Sequence, residues 1–376
     1  MLCDKKEGVG MANYTRPQYL MSKDIPVAKI TGFYVEVLRQ DLLPLAIRTP
    51  DVDFDRIFHG WIDTRIMSMG RSNSDKIMDG FRLPRSNPYA AAAAMHFTSL
   101  SDCYWIRQEG EETTWDDVSL YRAGLSTDVA ETSLFGKRRL FHGRIHTPET
   151  STAGLSAKAW YRDGNQRLWL YKIGKKELAA SRILEAIGAD HVPYIDASNE
   201  LERMADEAHI QKIRDMDEKL VKCPIITNEA RSIATWYDFE EHCEDLQVDP
   251  YAWIGHDPGY HEMQVCDYIL NNPDRHGENW GFFMDADTGK VQGLHPLFDH
   301  DHAFSEEMDV MSQTTRHEIP LRKAALLSLP HAKRLRLKAL LSMPRPEELT
   351  VQAWTDVQQR ASLLVRERDR GQEEER

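Results

Sequence analysis

Hydrophobic positions are weakly patterned in the first third of the chain and become regular from Arg138 onward. Met1–Asp24 is polar and frequently interrupted, which predicts little order there. ITGFYVEVLRQDLL (30–43) fits a strand or a short helix. The alanines within Tyr89–Met95 favour helix, because alanine loses no side-chain entropy on coiling. YWIRQEGEETTWDDVSLY (104–121) sets two apolar patches around an acidic turn. No internal repeat is present, and residues 1–137 read as an accessory N-terminal region of unknown role.

From Arg138 the rhythm is strand, loop, strand, turn, strand, helix, strand. RRLFHGRIH (138–146) reads as a strand, RDGNQ (162–166) as a turn and LWLYKI (168–173) as an apolar strand. In GKKELAASRILEAIG (174–188), Leu178, Ile183, Leu184 and Ile187 recur at helical spacing, and Gly188 is a C-terminal stop. VPYI (192–195) is extended, residues 198–220 are charged and helical, and KCPIIT (222–227) fits a strand crossing between lobes. PGYHEMQVCDYILNN (258–272) places Met263, Cys266, Ile269 and Leu270 on one helical face. WGFFM-DADTG-KVQGL (280–294) reads as a hairpin, and helical patterns follow residue 320. The tail RERDRGQEEER (366–376) predicts a solvated or frayed end.

Composition narrows the class. The 376 residues include 41% hydrophobic and 28% charged positions, an ordinary globular balance with enough length for two domains. The formal net charge of −13 disfavours nucleic acid and anionic membrane as direct partners, since both need clustered cations. Five scattered cysteines without a C-x-x-C argue against a disulfide framework or a cysteine zinc site. No apolar run approaches the roughly 18 residues of a membrane span. The expectation is a soluble, cytoplasmic protein.

The chemistry concentrates in NNPDRHGENWGFFMDADTGKVQGLHPLFDHDHAFS (271–305). Asp274 follows a helix, Asn279 comes five residues later and Asp299 lies beyond the hairpin. A carboxylate, an amide in D-x-x-x-x-N spacing and a second carboxylate suit phosphoryl transfer. One Asp orients the attacking hydroxyl, and the Asn and other Asp hold Mg²⁺ against the phosphates. Each residue alone is commonplace; a turn aspartate more often caps a backbone N–H. Their order, behind a strand lysine and a helix, is what carries weight. That lysine is Lys172, costly in an apolar strand unless its ammonium meets an anion. Glu177 on the next helix is its candidate partner, with Glu185 the rival. Upstream, Ser151, Thr152, Ala153 and Gly154 are small enough for backbone N–H groups to approach phosphate, and Lys158 adds a cation. Neither G-x-x-x-x-G-K-[ST] nor G-x-G-x-x-G is present.

These segments resemble the HipA-like serine/threonine kinase family, toxin-type bacterial kinases and their relatives. The matching pieces are STAGLSAK (151–158), LWLYK (168–172), KELAASRILEAIG (176–188), NNPDRHGEN (271–279) and PLFD (296–299), in the family's order over about residues 145–320. The resemblance implies an α+β, two-lobed, protein-kinase-like fold with a small β-rich lobe and a larger, mainly helical lobe. The small lobe would span 138–225 and the large lobe 226–376, with 1–137 as an extra region. It implies Asp274 as the catalytic aspartate, Asn279 and Asp299 as Mg²⁺ ligands, and Lys172 on the ATP phosphates with Glu177 beside it. Ser151, Gly154 and Lys158 would lie in the nucleotide-binding loop. Ser151 falls where the family carries an autophosphorylated serine, with Thr152 and Ser156 as neighbouring hydroxyls. ATP and Mg²⁺ are the implied cofactors, a protein hydroxyl the implied acceptor, and an antitoxin or regulatory protein the implied partner. Two departures stand out: the region before residue 145 does not look like the family's N-terminal subdomain, and DHDH at 299–302 makes Asp301 a rival or companion to Asp299 at the metal.

Three other readings compete. A metal hydrolase would use His256, His261, His276, His295, His300, Asp301 and His302, but H-E-x-x-H is absent and His300 and His302 would face opposite ways in a strand. A nucleotide-binding module of the same fold would lack catalysis, although every expected catalytic position is filled. A third reading is a kinase-fold enzyme that phosphorylates a non-protein hydroxyl.

Overall fold

The computed structural model describes residues 16–49 and 53–374 and shows a mixed α/β chain with several small sheets. Strands β1 (Gln18–Ser22), β2 (Ile25–Thr31), β3 (Tyr34–Val37) and β4 (Tyr104–Gln108) form an antiparallel sheet in the order β3-β2-β1-β4. Strands β5 (Lys158–Arg162), β6 (Leu168–Ile173), β7 (Ile195–Asp196) and β8 (Leu220–Pro224) form a second, in the order β5-β6-β8-β7. Strands β9 (Arg231–Thr235), β10 (Gly281–Asp285) and β11 (Val291–Leu294) form a third, in the order β11-β10-β9. The short β12 (Met311–Ser312) and β13 (Ile319–Pro320) pair with each other.

The elements near the site follow local rules. RDGNQ closes the β5–β6 hairpin, whose register sets Lys158 opposite Lys172. The helix Lys175–Ile187 ends at Gly188, whose φ of 74° is the left-handed stop the sequence predicts. The helix Pro258–Leu270 opens with Pro at its first turn and Asp257 accepting from Gly259 N at 2.7 Å, and ends at Asn271 with φ 46°. The sequence pattern predicts one apolar face for this helix; the structure instead buries every residue from Glu262 to Leu270. Its polar positions are matched one by one: Glu262 to Arg334, Gln264 to Thr314 and Asp267 to Arg275. Packed around it, the largest apolar cluster joins Ile183, Trp236, Trp280, Phe282 and Leu364. The helix Thr127–Phe135 packs on the second sheet, where Ala130 and Leu134 share a cluster with Ala159 and Tyr171.

Two sequence expectations are corrected. Residues 138–146 are not a strand. Phe141 N donates to Gly80 O at 2.9 Å, and the Phe141 ring packs on Gly80 and Phe81, so this segment is held by side-chain packing and not by a ladder. The expectation of little order over 1–24 lies partly outside the described residues; its described end contains β1, an inner strand of the first sheet. The described part of the tail lies in the helix Val351–Glu374, and residues 370–374 are exposed, as the expected solvated end requires. Residues 30–43 resolve into the end of β2, β3 and a single 3₁₀ turn. Among the described residues no helix is long and apolar enough to cross a membrane.

Gly281 sits opposite Thr235, where an added Cβ would strike the backbone of Ala234 and Thr235. Gly281→Ala should therefore destabilise the chain by roughly 1–3 kcal/mol, read as a lower denaturant midpoint. An unchanged midpoint would contradict this strand register.

Candidate active site

Lys172 lies on β6 with 4% of its surface exposed, deep enough that its ammonium must be paired. It donates to Glu177 Oε1 at 2.7 Å and contacts Asp299 Oδ1. Glu177 is on the first turn of the next helix, while Glu185 on the same helix is exposed; the structure thus brings Glu177, not its rival, to the lysine. The other Glu177 oxygen accepts from His300 N at 2.9 Å, which ties the helix to the segment after PLFD. Asp299 holds a left-handed φ of 58°, a conformation Asp tolerates better than most residues. Burial alone would lower the lysine and raise both carboxyls. The mutual pairing wins: Lys172 is held well above the ordinary lysine range, Asp299 well below the carboxylate range, and Glu177 below it too.

The Asp274–Asn279 loop is braced from beneath. Arg275, 2% exposed, reaches back to Asp267 on the helix Pro258–Leu270, with Nη2 to Oδ1 at 3.1 Å. It also donates to Asn279 O at 3.0 Å and to Phe298 O, so one guanidinium positions this loop and the residue before Asp299. Asn272 Oδ1 accepts from Asp274 N at 3.2 Å. Asn279 spends its amide N–H groups on Asp274 O at 2.8 Å and His276 Nε2 at 3.2 Å, which leaves its carbonyl oxygen to offer to a cation.

Above this floor sits a second carboxylate group. Asp274, Asp301 and His302 present ligand atoms within 4.8 Å of one another. Burial and repulsion from Asp299 raise the Asp301 carboxyl. Asp299 thus faces the lysine, and Asp301 faces Asp274. The other histidines of the hydrolase reading are not gathered here. His295 is buried with its pKa pushed down by burial to about 4, His261 bonds Ser328 and Gly255 O, and His300 is buried on Glu177. His276 alone joins His302 near the carboxylates, with Nε2 3.9 Å from Asp274 Oδ2.

The roof is the segment 147–158. Ser151 Oγ turns inward, donating to Thr98 O at 2.7 Å and Pro148 O at 3.2 Å, and Thr152 Oγ1 donates to Pro148 O at 2.8 Å. Ser156 is exposed and its Oγ lies 3.4 Å from Asp301 Oδ2. Gly154 has φ 85°, and any side chain there would run into the Lys158 ammonium. Lys158 is 6% exposed, and among the described residues its ammonium has no hydrogen-bond or ion-pair partner. Burial, with Lys172 beside it, draws its pKa down to about 8.

Gly154, Lys158, Lys172, Asp274, Asn279 and Asp299 line one cavity of about 1090 Å³, whose far wall comes from the N-terminal region at Arg48, Trp61 and Tyr104. Sequence reasoning missed four supports: Arg71, Glu149, Arg275 with Asp267, and the His300 backbone. Arg275 stood inside the quoted DRHGEN and could have been suspected as its anchor. Arg71 carries no local signal, because its partners lie 62–87 positions away.

No family model and no curated protein matches the chain. Solved structures with a similar fold include HipA in the HipA–HipB–operator DNA complex of Shewanella oneidensis MR-1. It is 11% identical, with 94% of this chain and 97% of that one covered and a TM-score of 0.49. The proinflammatory kinase CtkA of Helicobacter pylori is 12% identical over 58% of this chain and 95% of that one, with a TM-score of 0.40. The Golgi casein kinase with Mn/ADP bound is 12% identical over 58% and 70%, with a TM-score of 0.32. At these TM-scores the likenesses carry no weight for what this chain does.

The lysine cluster has a pH consequence. Asp299 and Glu177 are held below their ordinary values, so their contribution to stability is complete above about pH 4–5 and is lost as pH falls toward their lower native values. Thermal unfolding should show this acid limb in wild type. Lys172→Met should weaken it and shift it to higher pH, because Lys158 is then the one lysine that holds Asp299 down. A wild-type acid limb in that variant would contradict the pairing.

Proposed function

We propose that the chain is an ATP- and Mg²⁺-dependent phosphotransferase, most specifically a HipA-like serine/threonine protein kinase acting on a protein hydroxyl and on itself. The observation that carries this reading is the pair of buried strand lysines, Lys172 caught between two carboxylates and Lys158 unpartnered, across one cavity from Asp274 and Asn279. A buried ammonium that makes no direct ion pair among the described residues can receive an anion, and a polyphosphate is the anion that suits two cations under a glycine turn. The oxygen donors fit a hard divalent cation: the Asn279 carbonyl oxygen with Asp299, and Asp301 beside Asp274. The apolar wall of Leu170, Val192, Ile225, Ile226 and Phe298 suits a purine base.

In this mechanism Lys158 and Lys172 hold the phosphates, and Glu177 keeps Lys172 in place. Gly154 lets the roof backbone come close. Asp274 orients the acceptor hydroxyl and takes its proton as the oxygen attacks the γ-phosphorus in line and the bond to the bridging oxygen breaks. Mg²⁺, when bound, neutralises charge on the phosphate oxygens. The small-lobe and large-lobe boundaries at 138–225 and 226–376 belong to the same proposal, with the Lys172 sheet on one side of the cleft and the Asp274 loop on the other. Ser151 is the modification site that the family resemblance offers.

Intact-mass measurement before and after Mg²⁺ and ATP tests the reading. Wild type should gain one or more phosphates, and Asp274→Ala should lose at least about 100-fold in transfer rate while still binding ATP. A gain retained in Asp274→Ala would remove that residue from the mechanism; no gain in wild type with ATP still bound would move the acceptor to a non-protein hydroxyl. Asp299→Ala should weaken Mg²⁺·ATP binding. Unchanged affinity there, with loss in Asp301→Ala, would assign the metal to Asp301.

A further inference from the structure

The roof of the cavity is held by a residue of the N-terminal region. Arg71 lies in the turn between the helices Phe54–Asp63 and Ser74–Phe81 and is 2% exposed. Its Nη1 donates to Glu149 O at 2.9 Å and Thr152 O at 3.1 Å, and its Nη2 to Ser133 Oγ and Lys158 O, both at 2.8 Å. Three of those four acceptors lie at the start, middle and end of the roof. Two backbone bonds from the same turn reinforce the strap, Met67 N to Thr150 O at 2.7 Å and Ser72 N to Leu155 O at 2.8 Å.

The chemistry of the strap is directional. Among the described residues no carboxylate bonds this guanidinium; the Glu149 carboxylate is spent on Trp160 N at 2.8 Å and on Thr147 Oγ1. A buried cation bonded through Nη1 and Nη2 to neutral oxygens alone, with its Nε unpartnered, is expensive, and its use here is the planar fork, which reaches separate points of one loop at once. A lysine offers three donors from one point and cannot span them. Arg71 does not line the cavity, so it acts through the roof.

We infer that Arg71 is the positioning residue of the phosphate roof: it holds both ends of the segment that carries Gly154 and delivers Lys158, and so makes the N-terminal region part of the nucleotide site. This rests on the nucleotide reading of the cavity. It gives residues 1–137 a task that the sequence alone did not.

The test uses the full chain and Arg71→Lys, with Mg²⁺·ATP affinity by calorimetry and amide hydrogen exchange without nucleotide. Arg71→Lys should weaken Mg²⁺·ATP at least about tenfold. Exchange should quicken in residues 149–158 and stay unchanged in 168–187. Should Arg71→Lys not fold, Ser133→Ala removes one acceptor and should move both readouts the same way by less. Wild-type affinity with wild-type roof exchange would overturn the inference, and so would exchange quickened evenly across the whole chain. A wild type that binds no Mg²⁺·ATP, while the roof still loosens in Arg71→Lys, would sink the nucleotide reading and leave the strap standing.

Discussion

A lysine ammonium removed from water has to be repaid by nearby negative charge, and Lys172 is where this molecule meets that demand. Its two carboxylates come from different parts of the chain. Glu177 arrives on the helix that follows the strand, and Asp299 from beyond the hairpin, 127 positions away. Satisfying one cation therefore brings the second sheet against the segment after PLFD. The His300 backbone closes the same triangle through Glu177. Removing Lys172 strips two buried carboxylates of their shared ammonium at once, which is the costly case for ion pairs in protein interiors.

A second buried pair holds the neighbouring loop. Arg275 and Asp267 couple the Asp274–Asn279 loop to the most buried helix of the chain, and the same guanidinium holds Phe298 O. The loop and the Asp299 segment are thus positioned from one anchor, on a rigid element and not on one another. Lys158, by contrast, makes no direct hydrogen bond or ion pair among the described residues in the midst of this network. That imbalance is what the proposed anion site rests on.

Legibility from sequence followed the range of the interactions. The β5–β6 hairpin, the helix Lys175–Ile187 and the β10–β11 hairpin were readable because RDGNQ, Gly188 and DADTG punctuate them locally. The strand expected at 138–146 failed because Phe141 has the side chain of a strand residue while its packing partner, Gly80, is distant in sequence. The helix Pro258–Leu270 looked one-sided because its polar residues hid their partners, each supplied by another segment. Within the cleft, the order Lys172, Glu177, Asp274, Asn279, Asp299 could be picked out as a pattern. The facing of Asp301 toward Asp274, and the hold of Arg71 on the roof, depend on contacts spanning tens of residues that no periodicity encodes.

The central claim is that one cavity, lined by two buried lysines and by the oxygen donors beside them, receives a metal-bound nucleotide. The most direct measurement is calorimetric titration of the full chain with ATP, with Mg²⁺ and with chelator, on wild type and Lys158→Met. The account predicts one site per chain, binding that strengthens with Mg²⁺, and at least about tenfold weaker binding in Lys158→Met. Absence of ATP binding in wild type, or identical affinity in Lys158→Met, would contradict it.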